Sequence, residues 1–225
     1  MGTGDRLRVG VDTSPAPPLC FGPIGTAEFR GFEVDLLEAI ADKLGSVLSC
    51  MHIEWSAALA ELRDGRLDML CRAVTITPSR AGLVSFSDPY LETALALVLR
   101  SDSPTQSLDD LIGIRVGVRR ATAAEEIVRT KCPAATIRTF EAQPEPYRAL
   151  TERTVDAVVD HAVMAGYRVR VEPGLRLTGP LEGTVLHYGM VFANGNEARR
   201  REVNQALAQL RADRTWERIA LRWLE

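Results

Sequence analysis

Residues 32–53 read FEVDLLEAIADKLGSVLSCMHI, and this stretch decides the fold class. Phe32, Leu36, Leu37, Ile40, Ala41 and Leu44 recur at helical spacing, and Gly45 stops the helix. Val47–Ile53 then predicts a strand. Upstream, Leu7-Arg8-Val9-Gly10-Val11 alternates and runs into the turn-rich Asp12-Thr13-Ser14-Pro15-Ala16-Pro17-Pro18, as a strand feeding a rigid loop would. Downstream, Ser56–Asp64 predicts a helix capped by Ser56, and Leu67–Val74 another strand. The order is βαβαβ, which predicts an α/β fold with a mostly parallel sheet covered by helices on both faces. Ligands bind such sheets in the loops at the strand ends.

The second half repeats the pattern. Strands are predicted at Arg115–Val118, Thr136–Phe140 and Val155–Val159, with helices near Thr122–Thr130, Pro144–Leu150 and Ala162–Val169. Met190–Phe192 reads as a further strand, and Glu197–Ala212 and Thr215–Leu224 as two terminal helices, the first striped by Val203, Leu207 and Leu210. No low-complexity linker separates the two α/β units, so lobes joined by short extended crossings fit better than independent beads. No short-period repeat points to a solenoid.

Composition narrows the class. Among 225 residues, 46% are hydrophobic and 25% charged, ordinary values for a globular chain. The 27 basic and 30 acidic residues give a net charge of −3 with no run of five like charges, so nothing suggests nucleic acid. Apolar stretches such as Leu95–Leu99 are about a quarter of the roughly 20 residues a membrane span requires, so the chain is expected to be soluble. Met1-Gly2-Thr3-Gly4 has neither a basic nor an apolar signal region. A secretion signal is therefore absent or replaced, and replacement is the expectation. Cys20, Cys50, Cys71 and Cys132 lack the close pairs of metal sites or dithiol motifs, so neither a metal nor a cofactor is expected. Cys20 and Cys71 could pair in an oxidising compartment; otherwise all four are small buried apolar residues.

Several segments, in order along nearly the whole chain, resemble the bacterial extracellular solute-binding proteins of family 3, whose members include glutamine- and histidine-binding proteins of uptake systems. They are Gly31-Phe32-Glu33-Val34-Asp35-Leu36-Leu37, Gly65-Arg66-Leu67-Asp68, Thr75-Ile76-Thr77-Pro78-Ser79-Arg80 and Phe86-Ser87-Asp88-Pro89-Tyr90. Ser107-Leu108-Asp109-Asp110-Leu111, Val116-Gly117-Val118, Val155-Asp156-Ala157-Val158-Val159, Tyr188-Gly189-Met190 and Trp216-Glu217-Arg218-Ile219 continue the series. The resemblance implies a two-lobed periplasmic-binding-protein fold, with residues 1–90 and 190–225 in one lobe and 94–186 in the other. The interlobe crossings would fall near 90–94 and 186–189, and the lobes would close by a hinge over a ligand. It also implies a monomeric, periplasmic or otherwise extracytoplasmic protein that catalyses nothing. Its partners would be the membrane subunits of an ABC transporter and a small carboxylate-bearing ligand, most simply an amino acid.

The residues themselves allow a site to be sketched. Thr77-Pro78 places a cap and then proline at the first helical position, so Arg80 falls in the first turn of a short helix beside a strand end. A guanidinium offers a fork of donors matching both oxygens of a carboxylate, and the resemblance puts Arg80 on the ligand's carboxylate; alone it would read as a solvated surface arginine. Ala121-Thr122-Ala123 opens a helix whose first amides suit an anion, with Ala121 where the family usually has glycine. Thr122 reads equally as a plain N-cap. By resemblance, Ala73, Val74 and Thr75 offer a carbonyl and a hydroxyl to the ligand's amino group. Trp55 would pack on its side chain, and Asp12 would help set specificity; the simpler readings are a core aromatic and a turn-forming aspartate. Three positions depart from the family. Pro15 stands for a stacking aromatic, Arg72 for a small residue, where it would add a second positive charge, and His161 for the aspartate that neutralises the ammonium. Asp160, one residue away, would face the other side of its strand.

Two rival readings follow. The fold also resembles periplasmic dehydratases acting on cyclic carboxylic acids, for which Asp12, Asp160, His161 and Glu182 would be candidate acids, although no nucleophile, base and orienter triplet is evident. Alternatively, the same lobes could be the ligand-sensing domain of a membrane receptor or kinase.

Overall fold

The computed structural model describes residues 5–12 and 14–225; the side chains of Trp55 and Ser56 fall outside the described part. The chain divides into two compact units, residues 1–91 with 187–225, and residues 92–186. In chain order the first unit contains β1 (Arg6–Val11), α1 (Phe32–Leu44), β2 (Val47–His52), α2 (Trp55–Arg63), β3 (Met69–Leu70), α3 (Pro78–Ala81) and β4 (Ser85–Phe86). The chain leaves it within β5 (Leu91–Thr93). The second unit follows with β6 (Leu95–Arg100), a 3-10 turn at Asp109–Leu111, β7 (Arg115–Arg119), α4 (Ala123–Lys131), β8 (Thr136–Phe140), α5 (Pro144–Thr151), β9 (Ala157–His161), α6 (Ala162–Val171) and β10 (Leu175–Leu177). Strand β11 (Leu186–Tyr188), which pairs with β5, returns the chain to the first unit, completed by β12 (Val191–Phe192), α7 (Glu197–Ala212) and α8 (Thr215–Leu224).

The first unit's sheet has the order β2-β1-β3-β12-β4, with β1 parallel to β2 and β3, and β12 antiparallel to β3 and β4. The second has the order β10-β6-β9-β7-β8, with β7 parallel to β8 and β9, and β6 antiparallel to β9 and β10. Each sheet thus keeps the parallel trio expected of βαβαβ and adds antiparallel strands. Sequence patterning misses β6, because an unbroken apolar run has no period to read. Its burial is nonetheless two-sided. Leu95, Leu97 and Leu99 pack with Val116, Val118 and Val159 under α4, whereas Val98 joins Val158, Tyr147 and Leu150 on the other face.

The two units open in the same way. Asp68 accepts the Arg8 amide at 2.7 Å and pairs with its guanidinium at 2.7 Å. In the second unit Asp156 accepts the Arg115 amide at 3.2 Å and pairs with its guanidinium at 2.8 Å. The aspartates of the Gly65–Asp68 and Val155–Val159 motifs therefore hold the starts of β1 and β7, a structural task.

Helix α1 runs where the apolar spacing places it and ends at Gly45 in the left-handed region, φ 64°. At its start Gly31 has φ 142°, and a Cβ there would lie 2.4 Å from the Leu19 carbonyl oxygen, so glycine is required. Helix α2 begins at Trp55 after Glu54 rather than after Ser56, which lies inside the helix and is not its cap. The strand expected at Leu67–Val74 contracts to β3, since Ala73 at φ 53° turns the chain out of the sheet. β9 begins at Ala157, not Val155, because the Thr154 and Val155 amides return to the Ala149 carbonyl and end α5. Among the described residues no helix is long and apolar enough to cross a membrane.

Candidate functional site

In the first unit, five sequence-predicted residues gather at the ends of β1 and β3. Asp12 follows β1, and its carboxylate does two things. Oδ1 accepts the Ser14 amide at 3.2 Å, closing the turn, and Oδ2 lies 3.1 Å from Arg72 Nη2. Arg72 Nη1 donates to the Ile53 carbonyl at 2.7 Å. The expected second positive charge is thus matched by Asp12 and spent on joining the ends of β1, β2 and β3. His52 adds to this. Its Nε2 accepts the Ile24 amide at 3.4 Å, so Nδ1 carries the proton and donates to the Asp12 carbonyl at 2.7 Å.

The chain then turns at Ala73, whose amide donates to Glu33 Oε1 at 2.8 Å. Thr75 is buried and bridges to Tyr188, while the next amide, Ile76, donates to the His187 carbonyl at 2.8 Å. α3 forms as its spacing predicts, with the Thr77 hydroxyl accepting the Arg80 amide at 3.3 Å and proline at the first position. Arg80 Nη1 donates to the Thr75 carbonyl at 3.1 Å, which orients the guanidinium along the strand end and ties two predicted residues together. The Trp55 side chain lies outside the described part, and so does Thr13.

In the second unit, Thr122, Ala123 and His161 lie at the ends of the parallel strands β7 and β9. Ala121 adopts φ 57°, the conformation glycine would take, despite its Cβ. Thr122 caps α4: its hydroxyl accepts the Glu125 amide at 3.3 Å and donates to the Arg119 carbonyl at 2.7 Å, while Glu125 reaches back to the Ala121 amide at 2.8 Å. The Ala123 and Ala124 amides, in the first turn, have no carbonyl acceptor within the helix and give it a positive end. His161 ends β9 and begins α6, buried.

Two carboxylates are buried beside these groups, Glu33, which sequence reasoning passed over, and Asp160, which it expected to face away from the site. Glu33, on the inward face of α1, accepts the Tyr90 hydroxyl as well as the Ala73 amide; burial, only partly offset by these bonds, pushes its pKa up to about 7. Asp160 accepts Gln143 Nε2, the Tyr147 hydroxyl at 2.5 Å and the His161 amide at 2.8 Å, and burial raises it to about 6. Asp160 thus serves its own unit. Glu33 had a legible signal, a charge at a core position of the α1 stripe beside Phe32, Leu36 and Leu37. All four cysteines are free thiols; burial pushes those of Cys20 and Cys50 up to about 12. Among the described residues no cluster of His, Cys, Asp and Glu is placed to hold a metal.

Residues 7–225 match the profile of the bacterial extracellular solute-binding proteins, family 3. The chain belongs to that family. It is 31% identical over 221 residues to an L-cystine-binding protein of Escherichia coli strain K12, covering 96% of this chain and 82% of the relative. Among solved structures, an ancestral arginine-binding protein with bound arginine is 30% identical, with TM-score 0.88 and complete coverage of both chains. An ancestral amino-acid-binding protein, a precursor of cyclohexadienyl dehydratase, is 27% identical with TM-score 0.88, covering 98% of this chain and 96% of that one.

Proposed function

We propose that this chain is the extracytoplasmic amino-acid receptor of an ABC uptake system, working as a monomer and without turnover. The observation that carries the reading is Arg80, presented at the start of α3 and steered by the Thr75 carbonyl, in a chain of this family. Its guanidinium would grip the ligand's carboxylate as a fork, with the Ala123 amide as a further donor and the Thr122 hydroxyl joining by turning its one proton from the Arg119 carbonyl to the ligand. Ala73 and Thr75 would receive the amino group, and Asp12, Arg72, Trp55 and His161 would shape the remainder. Hinge motion at the two crossings would accompany binding. The similarity to a cystine-binding and an arginine-binding protein supports an amino acid as the ligand class.

A thermal-shift screen of the twenty common L-amino acids and L-cystine tests the reading, because a ligand that binds only the folded state raises the melting temperature by mass action. At least one is expected to do so and to be recovered unchanged by mass spectrometry. A converted product would establish a dehydratase-like enzyme instead, and no shift with any of them would remove the amino-acid reading.

A further inference from the structure

We propose that Glu33 is a positioning residue of the binding site: its carboxylate, clamped by the Tyr90 hydroxyl, fixes the backbone at Ala73, and its charge state tunes the affinity for an amino acid. The proposal rests on the reading of the chain as an amino-acid receptor. Ala73 adopts φ 53°, a conformation that L side chains rarely take, so something must hold it. Its amide donates to Glu33 Oε1 at 2.8 Å, and the Tyr90 hydroxyl donates to the same oxygen. Two residues beyond Ala73, the Thr75 carbonyl receives Arg80. Glu33 is therefore the inner end of a chain of contacts whose outer end is the guanidinium proposed to grip the ligand.

Tyr90 is itself held on both sides. Its amide donates to the Tyr188 carbonyl at 2.9 Å and its carbonyl accepts Trp216 Nε1 at 2.9 Å, next to Leu91, the last residue before the chain leaves the first unit. The Glu33–Tyr90 bond thus ties the Ala73 turn to the point where the crossing begins. The ionisable groups facing Glu33 are Asp12, Arg72, Cys20, Cys71 and Tyr90, with Tyr188 against Tyr90. Arg72 is already matched by Asp12, so the charge that changes is that of Glu33. Burial sets its proton uptake at about 7, so both forms are populated near neutrality. Ionised, Glu33 accepts both donors and favours an ammonium nearby. Protonated on Oε2, it keeps Oε1 as an acceptor but loses the charge that strengthens the bonds from Tyr90 and Ala73, and both weaken. Affinity should therefore fall as pH falls through about 7.

The test is calorimetric titration between pH 5.5 and 8.5 of the wild type, Glu33→Gln and Tyr90→Phe, using the amino acid from the thermal-shift panel that most stabilises the wild type. Glu33→Gln keeps the volume and a carbonyl acceptor but cannot ionise. It should bind about tenfold more weakly than the wild type at pH 8.5, approach it at pH 5.5, and lose the part of the pH profile that Glu33 supplies. Any contribution from His161 is common to both proteins and cancels in the difference. Tyr90→Phe removes a donor to the carboxylate and should move the midpoint upward, so it decides the matter if Glu33→Gln does not fold. A folded Glu33→Gln whose profile parallels the wild type, or a Tyr90→Phe with an unmoved midpoint, overturns the proposal while leaving the receptor reading intact. If no amino acid of the panel binds the wild type, the receptor reading falls and this proposal falls with it.

Discussion

Asp12 Oδ2 and Arg72 Nη2 stand 3.1 Å apart with both side chains more than nine-tenths buried. Breaking such a pair by removing one partner strands a desolvated charge, and the usual cost is about 3–5 kcal/mol. Asp12→Ala is expected to destabilise the protein by that order, with a smaller loss for the double variant Asp12→Ala/Arg72→Met, which leaves no buried charge behind. Denaturant unfolding of the four proteins measures the coupling. Additive losses would mean that the two side chains act independently.

The turn before α4 yields a pair of opposite effects. Thr122→Ala removes the acceptor for the Glu125 amide and the donor to the Arg119 carbonyl, and should cost about 1 kcal/mol. Ala121→Gly relieves a left-handed alanine worth about 1–2 kcal/mol and gives back up to about 1 kcal/mol of glycine backbone entropy, so a small net stabilisation is expected. Thermal melts of the two variants should move in opposite directions.

Stability should depend on pH in a window set by Glu33 and Asp160. Both carboxyls are raised by burial, to about 7 and about 6 against ordinary values of 4.5 and 3.8. The folded state then binds more protons than the unfolded one between those values. Their contribution is complete below the unfolded pKa and is lost as pH rises through the folded one. The melting temperature in the absence of ligand should therefore fall between pH 5 and pH 8, and Glu33→Gln and Asp160→Asn should each flatten that slope. The carboxylates of Asp156 and Asp213, held low by Arg115 and by Lys43 respectively, work in the opposite sense but only at lower pH.

Much of this was legible in the sequence, for reasons that differ by element. The boundaries of α1, α7 and α8 follow from apolar spacing and Gly45, and Thr77-Pro78 announces α3 and the place of Arg80 in it. Of the antiparallel strands, β12 was legible, as Met190–Phe192 against the observed Val191–Phe192, but the uniformly apolar β6 was not. The neighbours of both are set by where the chain crosses between units, a long-range matter. Nor could spacing show that Asp12 would neutralise Arg72, or that Asp160 would turn toward Tyr147 and Gln143, since each partner comes from a distant segment. Ala121 makes the converse point: the residue departs from the family's glycine, yet the backbone keeps the left-handed turn.

The central claim is that Arg80 grips the carboxylate of an amino acid, and isothermal titration of the wild type and Arg80→Ala with the amino acid found by thermal shift tests it most directly. Removing one partner of a desolvated charge pair costs about 2–5 kcal/mol, so the variant, folded by circular dichroism, should bind at least about thirtyfold more weakly. An unchanged dissociation constant in Arg80→Ala would contradict the account.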